Sequence, residues 1–251
     1  MTTAQKVRFL LVGSLVAIGL TACADKPELV TPENLVSPYD SSQGDALWAV
    51  APLRNESGTT TADVLAMTDA IMAKVQETRG ISAVSTNRVL AAMRSLGMPA
   101  VRTPAEAALL ARTLGVDGIV VGTITAYDPY DPPTVGLTLG LYAAAAKTPE
   151  TTIDPRTLST RATDGRTERF GQRPSAVVSE HFDGRNHEVL MDLRRYAVGR
   201  TEKDTALDWR TYLANSQLFA QFAANQAVSR LLDAERLRLA QSATRQITLG
   251  K

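Results

Sequence analysis

The chain is short of cysteine, histidine, aromatic rings and net charge: its 251 residues include one Cys and two His, aromatics make up 5%, and the formal charge is +1. Each shortage excludes something. A single thiol can form neither an intramolecular disulfide nor a cysteine zinc site, so disulfide-stapled and zinc-finger classes fall away. A balance of 27 basic against 26 acidic side chains lacks the basic excess of a nucleic-acid binder, and no nucleic-acid partner is expected. There is no P-loop and no Gly-x-Ser-x-Gly elbow, and Gly115, Gly118 and Gly122 have the wrong spacing for a Gly-x-Gly-x-x-Gly phosphate turn. What is plentiful is apolar side chain, 44% of the sequence, enough to core one large or two small domains.

At the amino terminus Lys6 and Arg8 precede an apolar run from Phe9 to Leu20, followed by Thr21, Ala22 and Cys23. Positive charge, apolar run and small residues are the layout of a secretory signal. The run is shorter than the roughly 20 apolar residues that cross a bilayer. Leu20-Thr21-Ala22-Cys23 resembles the bacterial lipobox, which implies cleavage between Ala22 and Cys23. It also implies a covalent diacylglycerol and an N-acyl chain such as palmitate on Cys23, and no other cofactor. The competing reading is an ordinary signal peptide with an incidental cysteine. At about 0.8 kcal/mol per buried methylene, two or three acyl chains make the anchor effectively permanent. Ala24 stands where an aspartate would signal inner-membrane retention in enteric bacteria, so the resemblance implies the outer membrane, facing the periplasm. Removing residues 1–22 takes away Lys6 and Arg8 and no acid, lowering the net charge by two. Residues 23–45 are polar and interrupted by Pro27, Pro32 and Pro38, and read as a tether reaching at most about 70 Å, or in part as a strap on the domain.

The body alternates strand and helix patterns. Leu47–Leu53 is a short continuous apolar run, as in a strand buried on both faces. Asp63 caps a helix carrying Val64, Met67, Ile71 and Val75 and stopping near Gly80. Ile81–Ser85 reads as a strand, Asn87–Leu96 as a helix closed by Gly97, and Pro104–Leu114 as a helix closed by Gly115. Asp117–Ala126 is the clearest strand. In the next one Val135, Leu137, Leu139 and Leu141 alternate with Thr134, Gly136, Thr138 and Gly140, which leaves the second face nearly bare and suited to a helix or another chain. Lys147–Pro174 is polar and reads as a flexible insertion. Ala176–Phe182 is a final strand, Asn186–Val198 a helix, and Trp209 to about Gln241 a long helix whose Leu213, Phe222, Leu231 and Leu232 face more than one side. That surface serves either a partner or second copy, or the chain's own core if the helix is broken. The fold expected is α/β (α+β): a small mixed sheet of about five strands flanked by helices, with a long carboxy-terminal helix. Its parts are a signal peptide at 1–22, a tether at 23–45, a core at 46–143, an insertion at 144–174 and a final strand with helices at 175–251.

Trp48-Ala49-Val50-Ala51-Pro52-Leu53-Arg54-Asn55-Glu56-Ser57-Gly58 resembles the strand and "P-F-x-N-x-S-G" loop of the CsgG and TolB amino-terminal group of periplasmic domains, with Leu53 in place of the aromatic. Leu114-Gly115-Val116-Asp117-Gly118-Ile119-Val120-Val121-Gly122-Thr123 is similar to that group's "L-G-A-D-x-x-v-x-G" junction. Together they span about residues 47–125. The resemblance implies a small mixed sheet and a role in envelope assembly. Members include the curli secretion lipoprotein, lipoprotein activators of penicillin-binding proteins and flagellum-associated outer-membrane proteins, and none of these roles requires a catalytic residue.

His181, Asp183, His187 and Glu188 are the one cluster with ligand chemistry, but Phe182–Asn186 reads as a turn into a capped helix, and no metal is expected. Asp128 and Asp131 could pair as catalytic carboxylates, yet they sit in Tyr127-Asp128-Pro129-Tyr130-Asp131-Pro132-Pro133, which is first a rigid turn. Tyr127, Asp128, Tyr130 and Asp131 read better as a protein contact, because tyrosine offers rigid area at low entropy cost. The expectation is a non-enzymatic, lipid-anchored envelope protein that binds or regulates an unidentified protein partner, with homo-oligomerisation open. The alternatives are a self-assembling structural or secretion-pore component and, behind it, an envelope hydrolase built on His181 and Asp183. Cys23→Ala should abolish labelling by radioactive fatty acid; a variant that still takes up label rules out acylation at Cys23.

Overall fold

The computed structural model describes residues 32–40, 42, 44–144, 170–201 and 205–249, with side chains up to 244. Ala22, Cys23 and residues 145–169 of the insertion lie outside them. The elements are β1 (Ala46–Val50), β2 (Arg54–Asn55), α1 (Val64–Glu77), β3 (Ile81–Ala83), α2 (Thr86–Ser95), α3 (Pro104–Leu114), β4 (Gly118–Asp128), β5 (Thr134–Ala143), β6 (Ala176–Asp183), α4 (His187–Ala197), a 3-10 turn (Asp208–Arg210), α5 (Thr211–Ala214) and α6 (Ser216–Leu249). The fold is mixed α/β as expected. Its sheet has six strands because the short β2 pairs with β4 beyond the end of β1.

The sheet order is β3-β1-β4-β5-β6. β3, β1 and β4 run parallel, and β4, β5 and β6 form an antiparallel meander. The two halves cover their faces differently. In the parallel half, Trp48 and Val50 face the core formed with α1 and α6, while Ala49 and Ala51 face the core formed with α2 and α3. This two-sided burial is why the Leu47–Leu53 run is continuously apolar. In β5 the alternation splits the strand: Val135, Leu137, Leu139 and Leu141 join Phe219, Phe222 and Leu231 of α6 in the inner core. Each such side chain contributes about 1.5–3 kcal/mol by leaving water. On the other face Thr138 Oγ1 meets Ser179 Oγ of β6 at 2.9 Å in an exposed pair.

Local chemistry sets the helix limits. The Asp63 carboxylate accepts from Ala66 N at 2.9 Å to start α1. Thr103 and Glu106 form a reciprocal capping box at α3, and the Arg102 and Thr103 N–H groups hold the Glu106 carboxyl below the usual carboxylate range. Gly115 ends α3 at φ 69°, a conformation that a Cβ would strain. The long carboxy-terminal helix is broken: Asn215 is extended, and its Oδ1 accepts from Gln217 N and Leu218 N to restart the chain as α6. Phe222, Leu231 and Leu232 are buried in the protein's own core, so the apolar surface read on several sides is used internally. The 34 residues of α6 run about 50 Å at 1.5 Å per residue.

Two boundaries move inward from the sequence expectation. Phe170 is buried beside α3 and bridges Ala144, so the carboxy-terminal end of the insertion is packed. Residues 32–40 of the expected tether are bound to the domain as a strap, as detailed below. Gly118 has no room for a side chain: a Cβ there would lie 2.8 Å from Trp48 Nε1 and 2.9 Å from its Cδ1. Gly118→Ala should therefore lower unfolding free energy in urea by about 1–3 kcal/mol through overpacking, and an unchanged midpoint would show that the indole is not held there.

Candidate functional site

At one end of the sheet, β4 and β5 join through the Pro129–Pro133 turn. Asp128 Oδ1 accepts from Tyr130 N at 3.1 Å, an Asx turn, and the Asp131–Pro132 peptide is cis. The turn is braced from below. Gly184, between β6 and α4, donates its N–H to Pro133 O at 2.9 Å, and a Cβ on it would come within 3.0 Å of Pro132 and Pro133. Tyr130 is 76% exposed on this base. Tyr127 differs from the sequence expectation: it is half-buried and packs against the inner core, so the turn projects one tyrosine and not two. Asp128 and Asp131 are both exposed, and the Asp128 carboxylate serves the turn.

The residues of the histidine cluster serve the neighbouring turn. Asp183 Oδ1 accepts from Arg185 N at 2.9 Å, and Asn186 Oδ1 caps α4 by accepting from Glu188 N at 2.9 Å. His181 and His187 are exposed. Among the described residues no group of three or more His, Cys, Asp or Glu is arranged to hold a metal.

Two features stand apart from the residues singled out in the sequence. The first is the strap, which the sequence offered only as the alternative to a tether and whose partners it did not name. Leu35 O accepts from Arg79 N, and Ser37 N donates to Arg79 O, both at 2.9 Å. Arg200 Nη2 reaches Glu33 O and Arg236 Nη2 reaches Val36 O, each at 3.2 Å. Tyr39 ends the strap: its ring meets Trp48 edge-on at 6.0 Å, and its hydroxyl donates to Glu235 Oε1 at 3.0 Å. Glu235 is fully buried, and Arg238 binds both of its oxygens at 2.6 Å. Burial, then the Glu235 charge, pushes the Tyr39 hydroxyl well above the usual phenol range. In the sequence the i,i+3 pair Glu235–Arg238 has the spacing of an ordinary solvated helix pair, and nothing marks it as buried.

The second feature is a groove of about 520 Å³ between α4 and the 208–210 turn, lined by Met191, Arg194, Arg195, Val198, Asp208 and Trp209. Arg194 and Arg210 stack over the Trp209 ring at 5.8 and 5.0 Å. The sequence pattern starts the long helix at Trp209; in the structure Asp208-Trp209-Arg210 is instead the 3-10 turn.

Tyr39→Phe should cost about 1–2 kcal/mol, because a buried carboxylate oxygen loses a donor. A phenol whose folded value is raised stabilises the fold fully below its unfolded value near 10 and loses that contribution as pH rises beyond it. Wild-type stability should thus decline above about pH 10 more steeply than that of Tyr39→Phe. Parallel profiles in alkaline urea titrations would show that Tyr39 is not held protonated.

No family model matches the chain, and no curated protein matches it. Among solved structures, the LpoB C-terminal domain from Salmonella enterica is 17% identical, covering 52% of this chain and 82% of that one at a TM-score of 0.33. Lipoprotein GNA1162 from Neisseria meningitidis is 18% identical, covering 62% and 95% at 0.39. The PelC dodecamer from Paraburkholderia phytofirmans is 11% identical, covering 81% and 94% at 0.34. Likenesses of this size carry no function across, and the resemblance read over residues 47–125 rests on its own motifs.

Proposed function

We propose that the chain is an outer-membrane lipoprotein, anchored through Cys23 and facing the periplasm, that binds or regulates a protein partner in envelope assembly and is not itself an enzyme. The observation that carries the partner reading is Tyr130: a ring 76% exposed at a hairpin tip whose backbone is held by the Asp128 turn and by the Gly184–Pro133 hydrogen bond. A large ring with few rotatable bonds on a held backbone loses little entropy on contact, which is how aromatic hot spots gain affinity. The flanking carboxylates Asp128 and Asp131 suit a partner that presents basic side chains there.

The second reading, a self-assembling component, has one observation in its favour. Among the described residues β6 is an edge strand paired only with β5, and its exposed Val177 adjoins the exposed Thr138–Ser179 pair. An edge of this kind accepts another strand.

A photo-crosslinker placed at Asp131 in the native membrane should capture one envelope protein. Tyr130→Ala should weaken that capture about tenfold while changing stability by less than about 0.5 kcal/mol. Undiminished capture by a folded Tyr130→Ala protein would remove the tip from the interface. A monodisperse high-order ring in detergent would transfer the reading to self-assembly.

A further inference from the structure

The groove beside Trp209 lies where the chain arrives from its amino terminus. Arg200 directly follows the groove residues Val198 and Gly199. Its guanidinium stacks on Tyr196 at 4.2 Å and donates from Nη2 to Glu33 O at 3.2 Å. Glu33 is thus one arginine side chain away from the groove wall, and the strap begins there. Pro32 is nine residues after Cys23, a length of chain that spans at most about 32 Å when fully extended. With an acyl chain on Cys23, no more than that length of chain separates the lipid surface from Pro32.

The composition of the groove matches such a surface. Met191, 43% exposed, shares a stripe of α4 with Arg194 and Arg195, Val198, 45% exposed, follows just past the helix end, and Leu207, 49% exposed, precedes the opposite wall. Trp209 sits between the walls under Arg194 and Arg210. Among the described residues no carboxylate pairs with either arginine; Arg195 is the one paired, with Asp192 at 3.2 Å. Tryptophan rings settle at headgroup level, aliphatic side chains beside them enter the acyl boundary, and arginine forks match phosphodiester oxygens. An acidic protein segment would meet the same arginines, but only the membrane is brought to this face by the chain's own connectivity.

We propose that the face formed by Met191, Arg194, Val198, Leu207, Trp209 and Arg210 docks on the phospholipid surface to which Cys23 is anchored. It rests on the anchored reading of Cys23. Docking fixes which way the domain points: the strap side lies against lipid, and the domain is not free to tumble on its anchor.

Trp48 is fully buried, so Trp209 is the natural reporter. The full acylated chain is reconstituted into vesicles of phosphatidylethanolamine and phosphatidylglycerol whose acyl chains carry bromine. Roughly half of the Trp209 emission should be quenched, with Trp209→Phe giving the Trp48 background. Arg194→Ala with Arg210→Ala, or Val198→Glu, should restore most of the emission while the circular dichroism of the fold is unchanged. Flotation in high salt reads the anchor separately. Flotation with unquenched Trp209 overturns the docking face and leaves the anchor standing. Quenching that salt abolishes together with flotation overturns the anchor and supports the face. Absence of both overturns both. Shielding of Trp209 only after a protein is added, with no effect of brominated lipid, also overturns the proposal.

Discussion

The packing of β5 on α6 is the contact on which the rest of the molecule depends. Leu137, Leu139 and Leu141 point to one side of the sheet, and Phe219, Phe222 and Leu231 meet them there, all without exposure to solvent. Phe222 extends the same contact sideways, edge-on to Phe182 of β6 and tilted against Tyr196 of α4. Through these rings one helix holds the antiparallel half of the sheet and the α4 region together. Its middle reaches the strap, where Glu235 binds Tyr39.

That reach explains how a polar group is tolerated in the core. A buried carboxylate is costly unless every oxygen has a partner, and Glu235 has Arg238 on both oxygens and Tyr39 on one. The strap is thus joined to the domain by a charge that needs it. Cation stacking of Arg200 on Tyr196 and the Arg236 bond to Val36 O add fixed points along the same segment.

The uneven cover of the sheet separates three kinds of surface. Helices close both faces of the parallel half, which is all core. In the antiparallel half helices close one face, and among the described residues the other is covered at the Tyr142 and Phe170 end but leaves Thr138 and Ser179 exposed. Its hairpin tip carries Tyr130 away from the core, and the Trp209 groove lies on α4, which follows β6 through the Gly184 turn. Surfaces proposed for a protein and for lipid are therefore carried by different elements.

The sequence alone determined whatever depends on neighbours along the chain. Periodicity located the strands and helices from β1 to α4 except the two-residue β2, Asp63 and Pro104 marked helix starts, and Gly97 and Gly115 marked stops, since these are local hydrogen-bonding and φ requirements. The break at Asn215 was equally local but was hidden by an apolar pattern that runs across it. Tertiary structure alone decided what depends on residues distant in sequence. Tyr127 turned inward and Tyr130 outward because the core ends between them. Tyr39 found Glu235 almost two hundred residues away, and Trp209 came to line a groove with α4. A pattern of side chains tells which face of an element avoids water; only the packed chain tells which other element does the covering.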